Sequence, residues 1–327
     1  MKHRMECRKK GEDDFVMLDD MVSNSIWMEL NEAGYPCSVK NMENLIYSDF
    51  SFSYHPIREY MNHLPPWDGI DHIGCLAESV HTIPAQREFW LKGFRNFLVG
   101  MVAAATQEEV VNHLCLLLCS KQNLGETTFI NNILPRELRT DYLSTGIISA
   151  GNKDDLSRMS EYMLINFDEF EGMTGHELSL LKDLITRKFI SIRLPYARHT
   201  QNLPHWASFA GTCNYPQVLY DPTGNRRFLC YEIEKIDRLE IDYPQLYAQI
   251  KHLLDSGYRY WFEAYENDEI ELNNKPFLFQ TPEEEMVLTH FRKPERFESF
   301  KYMTVSEMAE EIRNRTGYQY NLSLIHI

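Results

Sequence analysis

No two of the seven cysteines stand as C-x-x-C, so the chain encodes neither a dithiol redox pair nor paired zinc ligands. Cys115 and Cys119 lie in an apolar run and read as core residues. The odd count and the lack of a signal peptide point to a reduced, cytoplasmic protein. No apolar run reaches the ~18–20 residues of a membrane helix, so no membrane partner is expected. Internal repeats and low-complexity segments are absent. Positive charge is scarce: 33 Lys and Arg against 48 Asp and Glu give a formal net charge of −15. Such a chain repels nucleic acid on average, so DNA contact requires a local basic patch.

Apolar residues make up 43% of the 327, enough for one large domain or two to three smaller ones. Residues 15–64 read as three helices, with a stop at Gly34, a start at Ser38 and Pro56 in a first turn. "PPWDGIDHI" then breaks the pattern. A long helix over 85–106 follows. From there strands alternate with helices: 113–119, "YMLINFDEF", "GHELSLLKDLI", "FISIRLPY", "SFAGTCN" and "RRFLCYEI". That alternation predicts an α/β layer. The chain is helical again after 236, and "MTVSEMAEEIRNRTG" reads as a capped helix of a small separate unit. The start, "MKHRMECRKKGEDD", is polar and reads as frayed. The closing "LSLIHI" looks like translated sequencing adapter, so residues 322–327 are set aside and the natural chain is expected to continue.

Five constellations follow in order. "LCLLLCSKQNLGETTFINNILP" is an apolar strand, a short polar loop and a helical pattern, the layout of a phosphate-binding loop. In the register G-x-x-x-x-G-K-[ST], Ser120 takes the first glycine, Gly125 the second and Thr127 the hydroxyl. Lys121 and Thr128 flank them, and Glu126 holds the lysine position. In "LINFDEFEG" a buried strand runs into Asp168 and Glu169, suited to a magnesium shell and to a base for the attacking water. A strand ending in two carboxylates is also an ordinary surface turn. "TRKFISIRLPYARHT" sets Arg193, Tyr196, Arg198 and His199 on a strand pair that could track single-stranded DNA, or could be a solvated face. "SFAGTCN" ends in Asn214, a candidate sensor of the γ-phosphate or the water, or a simple turn. "DPTGNRRF" puts Arg226 and Arg227 at a turn exit. An arginine there can reach a neighbouring subunit's γ-phosphate as a finger, or be merely solvated.

The order of these parts is that of superfamily 3 helicase-type ATPases. With "FSYHPIREYMNHLPPWDGIDHI", "SKQNLGETTF", "LLKDLITRKFISIRLPYAR" and "SFAGTCN", the chain resembles the virulence-associated E family. These are P-loop ATPases of phages and bacterial mobile elements, and the wording is closest to the Bacteroidetes branch. The resemblance covers roughly residues 15–235. Residues 275–321 resemble a smaller domain of unknown function. The primase-type domain found upstream in longer relatives does not appear.

The resemblance implies an α/β fold with a P-loop NTPase core, a helical amino-terminal flank and a small helical carboxyl-terminal domain. The expected division is 1–84 helical, 85–235 ATPase core, 236–321 helical or winged-helix-like, and 322–327 tail. It also implies a role in replicating a mobile element, with ATP and Mg²⁺ as cofactors. Implied partners are single-stranded or forked DNA, the element's replication proteins, and further copies of the chain in a ring. By position, Thr127 and Asp168 would hold Mg²⁺, Glu169 would be the base, Asn214 the sensor, and Arg226 or Arg227 the finger. Lys182 matches a family lysine of underived role.

Two loop positions depart from the family: Asn123 stands where glycine is common, and Glu126 where lysine belongs. A unit pair at 4 Å with an effective dielectric of ~20 is worth ~4 kcal/mol, so reversing its sign swings roughly 8 kcal/mol against a phosphate. Three readings follow. Glu126 is a single-base change from a lysine codon, or it marks a pseudo-ATPase, or Lys121 substitutes. A non-catalytic DNA-binding or assembly module on the same fold is the rival class.

Overall fold

The computed structural model describes residues 6–8, 11, 16–46, 48, 55–121, 124–146, 148, 152–193, 199–220, 224–279, 282–292, 294 and 298–317. Two short strands, β1 (Glu6–Cys7) and β2 (Val16–Met17), pair antiparallel. Helices α1 (Asp20–Glu32), α2 (Val39–Ile46) and α3 (Pro56–Asn62) follow. Asp19 starts α1 by accepting from the backbone N–H of Val22, and Pro56 sits in the first turn of α3.

"PPWDGIDHI" is an anchor as well as a break. Asp71 caps α4 (His72–Glu78) by accepting from Gly74 N at 3.0 Å. The same carboxylate accepts from Gln249 at 2.7 Å and from Arg95. It thereby ties α4 to the long α5 (Arg87–Thr106) and to α10 (Tyr243–Asp255).

Between these helices runs β3 (Val80–Thr82), and beyond them β4 (Cys115–Cys119), α6 (Glu126–Asn131), α7 (Arg136–Tyr142), β5 (Leu143–Thr145), α8 (Lys153–Glu161) and β6 (Leu164–Phe167). Then come α9 (Gly175–Thr186), the hairpin β7 (Phe189–Ile192) and β8 (Gln201–Pro204), β9 (Ser208–Cys213) and β10 (Phe228–Ile236). After α10 the chain forms α11 (Asn267–Asn274), α12 (Pro282–His290) and α13 (Val305–Thr316). The fold is mixed α/β. Its six-stranded sheet has the order β3-β10-β4-β9-β6-β5, parallel except for β3, with helices around it.

Parallel strands are covered on both faces, which is why they read as unbroken apolar runs. Alternate side chains enter opposite layers. Leu116, Leu118, Leu229 and Tyr231 pack with Phe94, Phe97 and Val102 of α5 and with Leu246 and Ile250 of α10. Leu117, Ile165, Phe167, Phe209 and Phe228 pack with Leu178, Leu181 and Ile185 of α9. The first layer is continuous from Ile57 to Ile270. Leu117 is wholly buried, and truncating such a leucine to alanine costs about 2–5 kcal/mol.

Register places Cys119 opposite Cys213, and the two form a disulfide with Cα atoms 4.6 Å apart. This corrects the all-reduced reading for that pair. The remaining cysteines, Cys7, Cys37, Cys75, Cys115 and Cys230, are free.

Candidate functional site

Because four strands run parallel beside β10, every segment that follows one of them emerges at the same end of the sheet. The loop after β4 begins at Ser120, whose backbone N–H donates to Cys213 O on β9 at 3.0 Å. Gly125 caps α6 at φ 92°, a left-handed conformation that favours glycine. Thr127 follows in the first turn, and its hydroxyl donates to Asp168 Oδ1 at 3.0 Å. Thr128 is exposed beside it.

Glu126 turns back into its own loop. Oε2 accepts from Leu124 N at 3.1 Å, while Oε1 is buried with no partner. The residue is only 6% exposed. A carboxylate therefore occupies a backbone donor that a phosphate would otherwise use. Lys121 is 81% exposed and lies 3.9 Å from Glu232 on β10.

Asp168 and Glu169 directly follow β6 and are both exposed. Asp168 Oδ1 also accepts from Thr212 on β9 at 3.1 Å. Gly211 lets these strands approach: a Cβ there would meet Phe167 O at 3.0 Å. Glu169 has φ 56°, a left-handed conformation rare for a residue with a side chain. A 3₁₀ turn over Phe170–Gly172 follows and carries Glu171 across to Asn214. Glu171 Oε1 accepts from Asn214 N at 3.1 Å and from Asn214 Nδ2 at 2.7 Å. Thr127, Asp168 and Asn214 thus gather at one end of adjacent strands, joined through Thr212 and Glu171. From sequence Thr212 was read only as a residue of the strand end, and Glu171 was not singled out. The signal for Glu171 was a third carboxylate in "DEFEG".

Residues that precede a strand lie at the other end. Arg226 and Arg227 sit in a 3₁₀ turn, Asn225–Arg227, rather than at a strand start. The turn is held by Asn274 of α11, whose Nδ2 donates to Asn225 O and Phe228 O. Arg226 is exposed and Arg227 half-buried, its Nη1 donating to Gly224 O at 3.2 Å. Lys182 is buried and lies against Gly224. Phe228 pairs with Cys115, the first residue of the five-residue β4, so roughly 15 Å of strand separates the arginines from the loop. His113 precedes β4. Burial first, then the charges of Arg227, Lys188 and Arg226, hold its pKa below the ordinary value. The loop end carries Glu126, Asp168, Glu169 and Glu171 with Lys121, and the opposite end Arg226, Arg227 and Lys188 with Asp183.

The β7–β8 hairpin buries Ile190 and Ile192 and exposes Phe189 and Ser191. Arg193 and His199 are exposed beyond the strands, and Tyr196 and Arg198 lie outside the described residues. Phe189, 45% exposed, was not singled out from sequence. His205 holds the hairpin base: its buried ring meets Arg187 O through Nδ1 at 2.7 Å, and Nε2 has no partner. Burial pushes its pKa down to about 4, so the ring is neutral and Nδ1 donates.

Among the described residues no group of three or more His, Cys, Asp or Glu side chains could hold a metal ion. Thr127 and Asp168 alone suit a magnesium ion that keeps most of its shell from water and phosphate. Within the described part of the loop, Glu126 places a buried carboxylate on the Leu124 N–H, a charge that opposes a phosphate there. No helix among the described residues is long and apolar enough to cross a membrane.

A family model described as the virulence-associated protein E-like domain matches residues 61–278. No curated protein matches the chain. Three solved structures of the NrS-1 C-terminal region are similar. An apo structure gives a TM-score of 0.44 at 14% identity, covering 83% of this chain and 62% of that one. An A-form apo structure gives 0.43 at 13%, with 84% and 62% covered. A further A-form apo structure gives 0.40 at 14%, with 69% and 48% covered. The chain thus spans between 48% and 62% of those chains.

Proposed function

The chain belongs to the family of the virulence-associated protein E-like domain, and from that premise we propose a helicase-like P-loop ATPase of a mobile genetic element, acting in DNA replication and impaired in ATP turnover by Glu126. The observation that carries this reading is the Thr127–Asp168 hydrogen bond of 3.0 Å. It joins the hydroxyl after the loop to the first strand-end carboxylate, the two groups that would share a magnesium shell. In this reading Ser120, Lys121, Gly125, Thr127 and Thr128 surround the phosphates. Thr127 and Asp168 would hold the metal, Glu169 would orient the attacking water, and Asn214 would sense the reacting group. The metal would neutralise phosphate charge; the chain's own residues position it.

The arginine turn supports a ring. Arg226 lies at the end of the sheet opposite its own loop, exposed and beside other cations. Head-to-tail packing would bring Arg226 onto a neighbour's loop end, a heterologous contact of the kind that forms a ring when the rotation between copies closes. Single-stranded or forked DNA is the proposed substrate, tracked by Arg193, His199 and Phe189 of the hairpin.

A second reading, a non-catalytic DNA-binding or assembly module, is favoured by Glu126 itself. Its carboxylate fills the loop and accepts from Leu124 N. Calorimetry with Mg·ATP and phosphate release, on the unmodified chain, on Glu126→Lys and on Glu126→Lys with Glu169→Gln, separates the two. Turnover that lysine restores and Glu169→Gln removes supports the ATPase reading. A lysine variant that still neither binds nor hydrolyses supports the module.

A further inference from the structure

We propose that Glu171 is a positioning residue that sets which atom of the Asn214 amide faces the reaction. The proposal rests on the ATPase-type reading of the site and adds a residue that neither the motifs nor the family match assigns. A carboxylate only accepts hydrogen bonds. The 2.7 Å contact with Glu171 Oε1 must therefore come from the amide nitrogen of Asn214, and its backbone N–H reaches the same oxygen at 3.1 Å. Two donors on one acceptor fix both backbone and side chain. Among the described residues nothing donates to the amide oxygen, which is left as the outward-facing group.

The local backbone is built for this contact. Glu169 holds a left-handed φ of 56°, a strained conformation for a residue with a side chain. The following 3₁₀ turn closes through Gly172 N to Glu169 O at 2.9 Å and Met173 N to Phe170 O at 3.1 Å. Phe170 is buried against Phe167 and Phe228 and anchors the turn. The reversal at Glu169 ends the register that pairs Phe167 with Gly211 and turns the chain so that Glu171 meets Asn214. Glu171 also keeps Oε2 buried without a partner, a cost that a surface turn has no reason to bear.

The chemical consequence is a polarity. With its nitrogen held, Asn214 presents an acceptor. It can take a hydrogen bond from an O–H of the attacking water; Glu171 holds one N–H of the amide in place, and the second N–H remains a donor beside that fixed oxygen. Glu169, exposed on the same turn, remains the candidate base; Glu171 acts through Asn214.

The test uses Glu171→Gln and Glu171→Ala, each in the unmodified chain and in Glu126→Lys. Glutamine retains an acceptor oxygen and alanine does not. In the unmodified chain, selective ¹⁵N-asparagine labelling reads Asn214, identified by its loss in Asn214→Ala. Its backbone N–H should exchange slowly in the parent and in Glu171→Gln, and about 10-fold or more faster in Glu171→Ala. In the Glu126→Lys chain, Glu171→Ala should lower kcat by about 100-fold with KM little changed, and Glu171→Gln by only a few-fold. Equal exchange in all three proteins overturns the contact. A glutamine variant as inactive as the alanine variant overturns the positioning role, because a charge or a base would then be required. If Glu126→Lys shows no turnover, the ATPase reading falls, while the exchange experiment still decides whether Glu171 fixes Asn214.

Discussion

Replacing Glu126 by alanine and by lysine divides the charge reversal at the loop into two steps. The present carboxylate is 6% exposed and accepts from Leu124 N at 3.1 Å. A phosphate oxygen about 4 Å away, at an effective dielectric of ~20, would feel repulsion of ~4 kcal/mol. Alanine removes that term and frees the Leu124 donor. Lysine then adds an attraction of ~4 kcal/mol. Each step corresponds to at most about three decades in Kd, and water and Mg²⁺ screen both, so at least about tenfold per step is expected. The order of affinity for Mg·ATP is therefore Glu, then Ala, then Lys. Calorimetry reads the affinities, and phosphate release with and without single-stranded DNA reads turnover, expected for lysine alone. Equal binding by all three proteins would refute the charge argument. Strong hydrolysis by the unmodified chain, abolished by Glu169→Gln, would show instead that Lys121 serves as the phosphate lysine. That result would require Lys121 to leave Glu232, 3.9 Å away.

Three further outcomes are expected. In the Glu126→Lys background, Arg226→Ala subunits mixed with subunits that retain Glu126 should recover turnover that neither shows alone. A dead mixture, or a monomer by sedimentation with nucleotide and DNA present, counts against the ring. At the hairpin, Arg193→Ala should weaken single-stranded DNA binding and flatten its log–log salt dependence by about one unit, whereas Phe189→Ala should weaken binding by about 1–3 kcal/mol without changing that slope; unchanged binding in both removes the hairpin from the DNA path. His205 has a pKa near 4 against an ordinary 6.5, so the unfolded state takes the proton first. Stability should be full above pH 6.5 and fall by up to about 3 kcal/mol as the pH drops toward 4. Urea melts of His205→Gln should lose that part of the slope, and an identical slope would show that the ring is not buried neutral.

Much of this arrangement was legible because parallel strands are buried on both faces. Leu114–Leu118, "LINF" and "SFAGTC" are unbroken apolar or small runs, and each is a central strand. Short strands left no such mark. Leu143–Thr145 and Val80–Thr82 have three residues each, too few to show a period. The disulfide of Cys119 with Cys213 depends on the register of β4 against β9, which neither run reveals alone. Glu171 was visible as a letter but not as a contact. Its partner is 43 residues away, and the reversal that brings them together is a backbone φ at Glu169 that no propensity demands.

The same topology explains why sequence order could stand in for spatial position. In a parallel sheet, residues that follow strands converge at one end, and residues that precede strands collect at the other. Thr127, Asp168, Glu171 and Asn214 all follow strands. His113, Arg226 and Arg227 precede β4 and β10, Lys188 stands near them at the base of the separate β7–β8 hairpin, and burial first, then these cations, hold the pKa of His113 down. An arginine placed before β10 therefore cannot serve the loop after β4 of its own chain, whatever rotamer it takes. A catalytic arginine in "DPTGNRRF" requires a second copy, packed head to tail. If the mixing experiment fails for Arg226, the half-buried Arg227 is no substitute within one chain. It begins from the same end of the sheet, and its Nη1 is already committed to Gly224 O.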